Sequence, residues 1–209
     1  MEKTTIYFIF TDTGTNLSRI INYCTGQSLN HVSIGFDDEL TEVYSFGRIQ
    51  PKNPFSGGFV REDIHSEFLR NSQSEIYSFE LTKTERDKIL GHIRMIEANK
   101  GSYRHNFIGL IGVLLQIEIR RKRAFFCSEF VATVVSDIDS IKLQKPSCFV
   151  TASDIRSQID MKLIYRGRLG DYGTDAIISQ HHLLYKPSLS PRQSFMFSLS
   201  KKVKQFVIR

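Results

Sequence analysis

The strongest constraint on the fold is the segment Thr4 to Phe10, Thr-Thr-Ile-Tyr-Phe-Ile-Phe. It is β-branched or aromatic throughout and reads as a buried strand, which commits the chain to a sheet. Further strand signals follow. His31 to Phe36 alternates, with His31, Ser33 and Gly35 on one side and Val32, Ile34 and Phe36 on the other. Asp37-Asp38-Glu39 is a turn, and Thr41 to Gly47 reads as the return strand of a hairpin. Arg48 to Gly58 holds two prolines and two glycines and reads as a loop long enough to be functional. Phe59 to Ile64 reads as a short edge strand, Ile76 to Leu81 as another, and Lys162 to Leu169 as the last.

Helix signals lie between these strands. Asn16 is placed as the N-cap of a helix to about Gly26. Thr82-Lys-Thr-Glu85 is a capping box, predicting a helix to about Asn99 that Gly101 ends. Phe107 to Ile119 reads as a buried helix, since it is shorter than the roughly 20 residues a bilayer span requires. Ala124 to Val135 reads as a helix opening at or near Cys127, and a small helix is expected to start at Ser153. Helices packed on an antiparallel sheet make this an α+β chain. At 209 residues it has length for one domain with a sizeable core.

The charge is unevenly placed. The formal net charge is +6, and after Asp175 no acidic residue occurs while Lys186, Arg192, Lys201, Lys202, Lys204 and Arg209 do. The body is therefore neutral, which argues against nucleic acid as a partner of the main fold. In the tail, Met196, Leu199, Val203, Phe206 and Val207 fall at helical spacing. Two readings follow: an apolar face docked on the body, or a peripheral helix on an anionic membrane surface. Three cysteines, Cys24, Cys127 and Cys148, do not make a disulfide framework. With no signal peptide read at the start, a reduced, cytoplasmic protein is expected. No CxxC or CxxH pair suggests zinc, and neither a metal nor an organic cofactor is expected.

Cys127 and His31 are the residue types that carry chemistry. A thiol is mostly protonated at neutral pH. A helix N-terminus lowers its pKa through unpaired N–H groups and the dipole, and the same groups can hold an oxyanion. His31 lies on a strand beside the small residues Ser33 and Gly35, with room for a substrate, and suits the role of base. The competing reading is structural. Cys127 shares a helical stripe with Phe130, Val131 and Val134, where a cysteine is more often core than nucleophile. Cys24 reads as core, and Cys148 has no reading. His65, His92, His105, His181 and His182 have no partners at ligand spacing.

The segments Asn30-His31-Val-Ser-Ile-Gly35 and Phe125-Phe-Cys127-Ser-Glu-Phe-Val131 resemble the two signature blocks of the circularly permuted NlpC-type papain-like superfamily. Its members include lecithin retinol acyltransferase relatives and small bacterial amidases. In the permuted branch the histidine strand precedes the cysteine helix, as here. The resemblance covers residues 4 to 170. Tyr44-Ser-Phe-Gly47, Tyr103 and the stretch from Pro146 to Thr151-Ala-Ser-Asp154 agree with it. It implies a permuted papain-like domain over residues 1–170, followed by a basic C-terminal extension over residues 171–209.

The resemblance further implies a cysteine peptidase or amidase acting on an amide or ester carbonyl, with Cys127 as nucleophile and His31 as base. The family's third polar residue, on the next strand, orients the histidine. That position falls on Ser45, a departure from the commoner His or Glu, with Glu42 as the alternative if the register shifts by one. Tyr103, Glu129 and Arg48 are secondary candidates for binding substrate. Lys52 and Asn53, on the loop, could gate it. A buried first-turn acid, a packing aromatic and a solvated loop are the structural readings of these residues. Substrates within the superfamily's range are small peptides, N-acyl compounds and lipid acyl chains. Three other readings stay open: a lipid-directed thiol acyltransferase; a non-catalytic binding module, which the weak third residue motivates; and a basic surface-binding protein acting through the tail alone.

Overall fold

A computed structural model describes residues 2–14, 19, 28–49, 57–102, 104–105 and 124–173. The elements in chain order are β1 (Lys3–Asp12), β2 (His31–Gly35), β3 (Val43–Arg48), β4 (Gly57–Glu62), β5 (Gln73–Thr82), α1 (Lys83–Ala98), β6 (Arg104–His105), β7 (Ala124–Phe125), α2 (Cys127–Val134), α3 (Ala152–Gln158) and β8 (Lys162–Arg168). All belong to one unit, Met1–Ala176.

Six strands form one sheet in the order β4-β3-β2-β1-β5-β8, and each neighbouring pair is antiparallel. β6 and β7 form a separate short parallel pair. The strand at Thr4–Phe10 is the interior β1, hydrogen-bonded on both sides and buried at Ile6 and from Phe8 to Phe10, which suits its β-branched and aromatic residues. β1 and β5 run in register from Lys3↔Thr82 to Asp12↔Gln73, so β5 begins three residues before its apolar stretch. The final strand, read from Lys162, is β8 on the far edge, and the strand read at Phe59 is β4 on the other.

Alternation divides the sheet into two faces. Ile6, Phe8 and Phe10 of β1, Val32 and Ile34 of β2, and Phe46 and Phe59 of β3 and β4 pack with Ile89, Ile93 and Ile96 of α1, Phe130 and Val134 of α2, and Ile155 of α3. Phe46 meets the rings of Phe125, Phe59 and Phe130 with centroids 5.3 to 6.2 Å apart. The opposite face carries a smaller cluster of Ile9, Leu40, Val43, Ile64, Leu69, Ile76 and Leu169. The odd-numbered residues of β2 share this second face, since Ser33 pairs with Ile9 and Gly35 with Tyr7 and Val43.

The helix starts follow local rules. Thr82 accepts from the Glu85 N–H while the Glu85 carboxylate accepts from the Thr82 N–H, the reciprocal box expected from the sequence. α3 starts one residue earlier than expected. Thr151 is its N-cap, and Asp154 closes the box in place of Glu or Gln. The Asp37 carboxylate accepts from the N–H groups of Thr41 and Glu42 at 2.8 and 2.7 Å. That turn takes Thr41 and Glu42 out of the return strand, which starts at Val43. The helices expected at 16–26 and 107–119 lie outside the described residues, save Arg19, which is helical. So does nearly all of the basic tail. Among the described residues no helix is long and apolar enough to cross a membrane.

Candidate active site

α2 opens at Cys127. Its N-cap is Phe126, buried and extended at φ −109°, ψ 170°, with no side-chain cap. The first-turn N–H groups are therefore left to other acceptors. The Ser128 N–H is directed at the Cys127 sulfur, as is the Val32 N–H of β2. The β2–β3 ladder is paired at Ile34 and Gly35, beyond Val32, and the cysteine side chain approaches β2 ahead of that pairing. Cys127 Sγ lies 3.8 Å from the Asn30 carbonyl oxygen, which a protonated thiol could use as acceptor.

His31 opens β2 beside this helix end. Its Nε2 lies 2.8 Å from Glu62 Oε1, and the two side chains are only 14% and 9% exposed. Its ring is also hydrogen-bonded to the Cys127 side chain. With Nε2 turned to Glu62, Nδ1 is the nitrogen left for the sulfur. Two serines complete the carboxylate's surroundings. Ser33 Oγ donates to Glu62 Oε2 at 2.6 Å, and Ser45 Oγ donates to Oε1 at 2.5 Å. Ser33 Oγ also stands 3.4 Å from His31 Nε2.

This geometry corrects the placement of the ring's polar partner. Ser45 does not hold the imidazole; its hydrogen bond goes to Glu62, and Glu62 meets the ring. The reason is register. Glu62 pairs with Val43, and Val60 with Ser45, so Glu62 lies on the same face as Ser45, one pair further from His31. Its longer side chain reaches back over Ser45. Gly47 leaves the space, for a Cβ there would stand 3.2 Å from Ser45 Oγ, 3.4 Å from Glu62 Oε1 and 3.5 Å from His31 Cε1. Glu42 is engaged elsewhere, its Oε1 accepting from the Tyr44 hydroxyl at 3.0 Å.

The electrostatics form one linked set. Burial alone would lower the His31 pKa. The Glu62 charge and hydrogen bonds to Cys127 and Glu62 outweigh it and hold the imidazole well above its ordinary value. Burial would raise the Cys127 thiol. The hydrogen bond and charge of His31, with the Val32 and Ser128 N–H groups, bring it below its ordinary value. Burial would also raise Glu62, but the His31 charge and hydrogen bond and the two serine hydroxyls lower it. All three shifts run toward the charged forms, thiolate, imidazolium and carboxylate, each group favouring the charge of its neighbour.

The remaining candidates are spread more widely. Glu129 is buried in the first turn of α2, where the helix dipole favours an acid. Arg48 ends β3 with its guanidinium 5.3 Å from the Phe68 ring centroid. Tyr103, Lys52, Asn53 and Cys24 lie outside the described residues. Cys148 sits half-buried in a short 3-10 turn. His92, on α1, contacts the Val134 carbonyl oxygen at 3.2 Å, and its Nε2 lies 3.6 Å from Asp137. Among the described residues, no group of three or more His, Cys, Asp or Glu side chains is placed to hold a metal ion.

Sequence reasoning missed Glu62. One signal pointed to it: an acid two residues beyond Val60 in a short apolar strand, on the same face as Gly58. No family model, curated protein or solved structure matches the chain.

Proposed function

We propose that this protein is a cysteine hydrolase of the amidase or peptidase kind. In this reading its α+β domain is a permuted papain-like fold, and Cys127, His31 and Glu62 act in that order as nucleophile, base and orienting carboxylate. The observation that carries the reading is the His31–Glu62 contact of 2.8 Å between two nearly buried side chains, with the same ring hydrogen-bonded to a cysteine at a helix start. Glu62 also removes the motive for a non-catalytic module, because a carboxylate stabilises an imidazolium better than a serine does.

The steps follow from the groups present. Cys127 thiolate attacks the carbonyl carbon, a C–S bond forms, and the carbonyl electron pair moves to oxygen. As the tetrahedral species collapses, the bond to nitrogen or alkoxide oxygen breaks and His31 gives its proton to the leaving group. The product is an acyl-thioester on Cys127. His31, now neutral at Nδ1, takes a proton from water, which attacks the thioester and releases the acid. The thiolate leaves and the imidazolium returns. Glu62 stays ionised throughout, fixing the ring and balancing its charge.

Incubation with short-chain activated esters and thioesters, followed by intact-mass and peptide mass spectrometry, tests this reading. An acyl adduct on Cys127, absent from His31→Ala, is expected. Adducts spread equally over Cys24, Cys127 and Cys148, or none at all, would overturn it. An amine or alcohol acceptor that turns the adduct into a new amide or ester faster than water clears it would make the protein an acyltransferase instead.

A further inference from the structure

We propose that Ser33 and Ser45 are positioning residues that clamp the two oxygens of Glu62, and that this clamp sets which nitrogen of His31 is free to act as base. The inference rests on the Cys127–His31–Glu62 reading above and deepens it.

A buried carboxylate has about four lone-pair sites and needs donors for them. Glu62 has three donors within 2.8 Å: Ser33 on Oε2, and Ser45 and His31 on Oε1. Each oxygen thus receives a hydroxyl proton. The arrangement suits the ionised acid, which can accept from all three donors at once.

The consequence for His31 is chemical. An ionised Glu62 can only accept, so Nε2 must carry a hydrogen and Nδ1 keeps the lone pair in the neutral ring. Nδ1 is then the nitrogen left for Cys127, the ring's other side-chain partner. A protonated Glu62 would instead donate to Nε2, moving the ring hydrogen to Nδ1, where it could not receive the thiol proton. The serines therefore act on the thiol through two intervening groups. Gly47 allows all three side chains to converge.

The other charged groups near Glu62 have their own engagements. Arg61 donates to the Thr41 carbonyl oxygen, Asp63 accepts from the His65 N–H, and Arg48 lies over Phe68. Among the titrating groups of the described residues, His31 is the one hydrogen-bonded to the carboxylate, and through it Cys127.

The test compares wild type with Ser33→Ala, Ser45→Ala, the double variant and Ser45→Thr. Two quantities are read as functions of pH: the alkylation rate of Cys127, and the 13C carboxyl shift of Glu62. Melting temperatures monitor the fold. Each alanine should move the Glu62 titration upward by about one pH unit, with the acid limb of the Cys127 alkylation profile following it; the double variant should move further, and the hydroxyl-retaining Ser45→Thr should restore most of the Ser45→Ala shift. Lower melting temperatures with unmoved midpoints would reduce the serines to packing residues and overturn the clamp. A wild-type Cys127 that alkylates no faster than Cys148 would overturn the hydrolase reading instead. The Glu62 carboxyl titration would still decide the clamp in that case, because it does not depend on the thiol.

Discussion

His31 on β2 and Glu62 on β4 are brought within 2.8 Å of each other across an intervening strand, β3, whose residues between them are small. Two strands away, only a long side chain crossing over serine and glycine can reach the ring. Glu62→Gln keeps the shape and removes the charge. It should raise the pKa of Cys127, because His31 loses the charge that most favours its imidazolium. The midpoint of Cys127 alkylation should rise by at least about one pH unit, and the rate near neutrality should fall about tenfold. An unaltered profile would deny Glu62 its orienting role.

Gly47→Ala tests the crowding directly. A methyl group there meets Ser45 Oγ, Glu62 Oε1 and His31 Cε1 at 3.2 to 3.5 Å, so those groups must give way by a few tenths of an ångström. Alanine also lowers the backbone entropy cost by about 0.5–1 kcal/mol relative to glycine in a strand. Stability should therefore change by no more than about 1 kcal/mol, while Cys127 alkylation slows severalfold. Chemical denaturation and alkylation kinetics on the same sample read both. Full reactivity would mean that the carboxylate does not need this space.

The stability of the pair depends on pH in two opposite senses. His31 has a raised pKa, so its contribution is complete below its ordinary value of 6.5 and is lost as pH climbs through the folded value. Glu62 has a lowered pKa, so its contribution is complete above its ordinary value of 4.5 and is lost as pH falls through the folded value. In a Cys127→Ala background, where no thiol titrates at this site, stabilisation by the pair should be greatest between those ordinary values. Adding His31→Ala and Glu62→Gln should flatten both limbs. Melting temperatures across the range read this, and limbs of unchanged steepness would assign the acid and alkaline losses to other groups.

Thr82→Ala separates fold from site. Thr82 caps α1, which packs Ile89, Ile93 and Ile96 into the larger core away from His31. Loss of the cap should cost about 1 kcal/mol of stability. The pH profile of Cys127 alkylation should stay where it is in wild type, and a shifted midpoint would show that α1 bears on the site.

Much of this arrangement is legible in the chain because it is local. The alternation of His31, Ser33 and Gly35 against Val32 and Ile34 assigns each to its face, and the first-turn position of Cys127 follows from the apolar spacing of Phe130, Val131 and Val134. The Thr82–Glu85 box marks the start of α1 to the residue, while its end comes at Ala98, with Asn99 as C-cap and Gly101 inside the 3-10 turn that follows. Two things depend on long-range pairing. β5 extends back to Gln73 because Asp12 of β1 is there to pair with it, not because Gln73 prefers a strand. Glu62 joins His31 because β4 pairs with β3 in the register Glu62↔Val43, which the intervening loop sequence does not encode. Ser45 was on the right face and close to the ring, but its short side chain reaches the carboxylate instead of the imidazole.

The central claim is that His31 activates Cys127, and its most direct test is the rate of Cys127 alkylation by iodoacetamide against pH. Mass spectrometry would follow Cys24 and Cys148 as internal references, in wild type and in His31→Ala. Cys127 should label fast, with a midpoint below the ordinary thiol range that the His31 substitution moves up. Labelling of Cys127 no faster than the other two cysteines, and indifferent to His31, would contradict the claim.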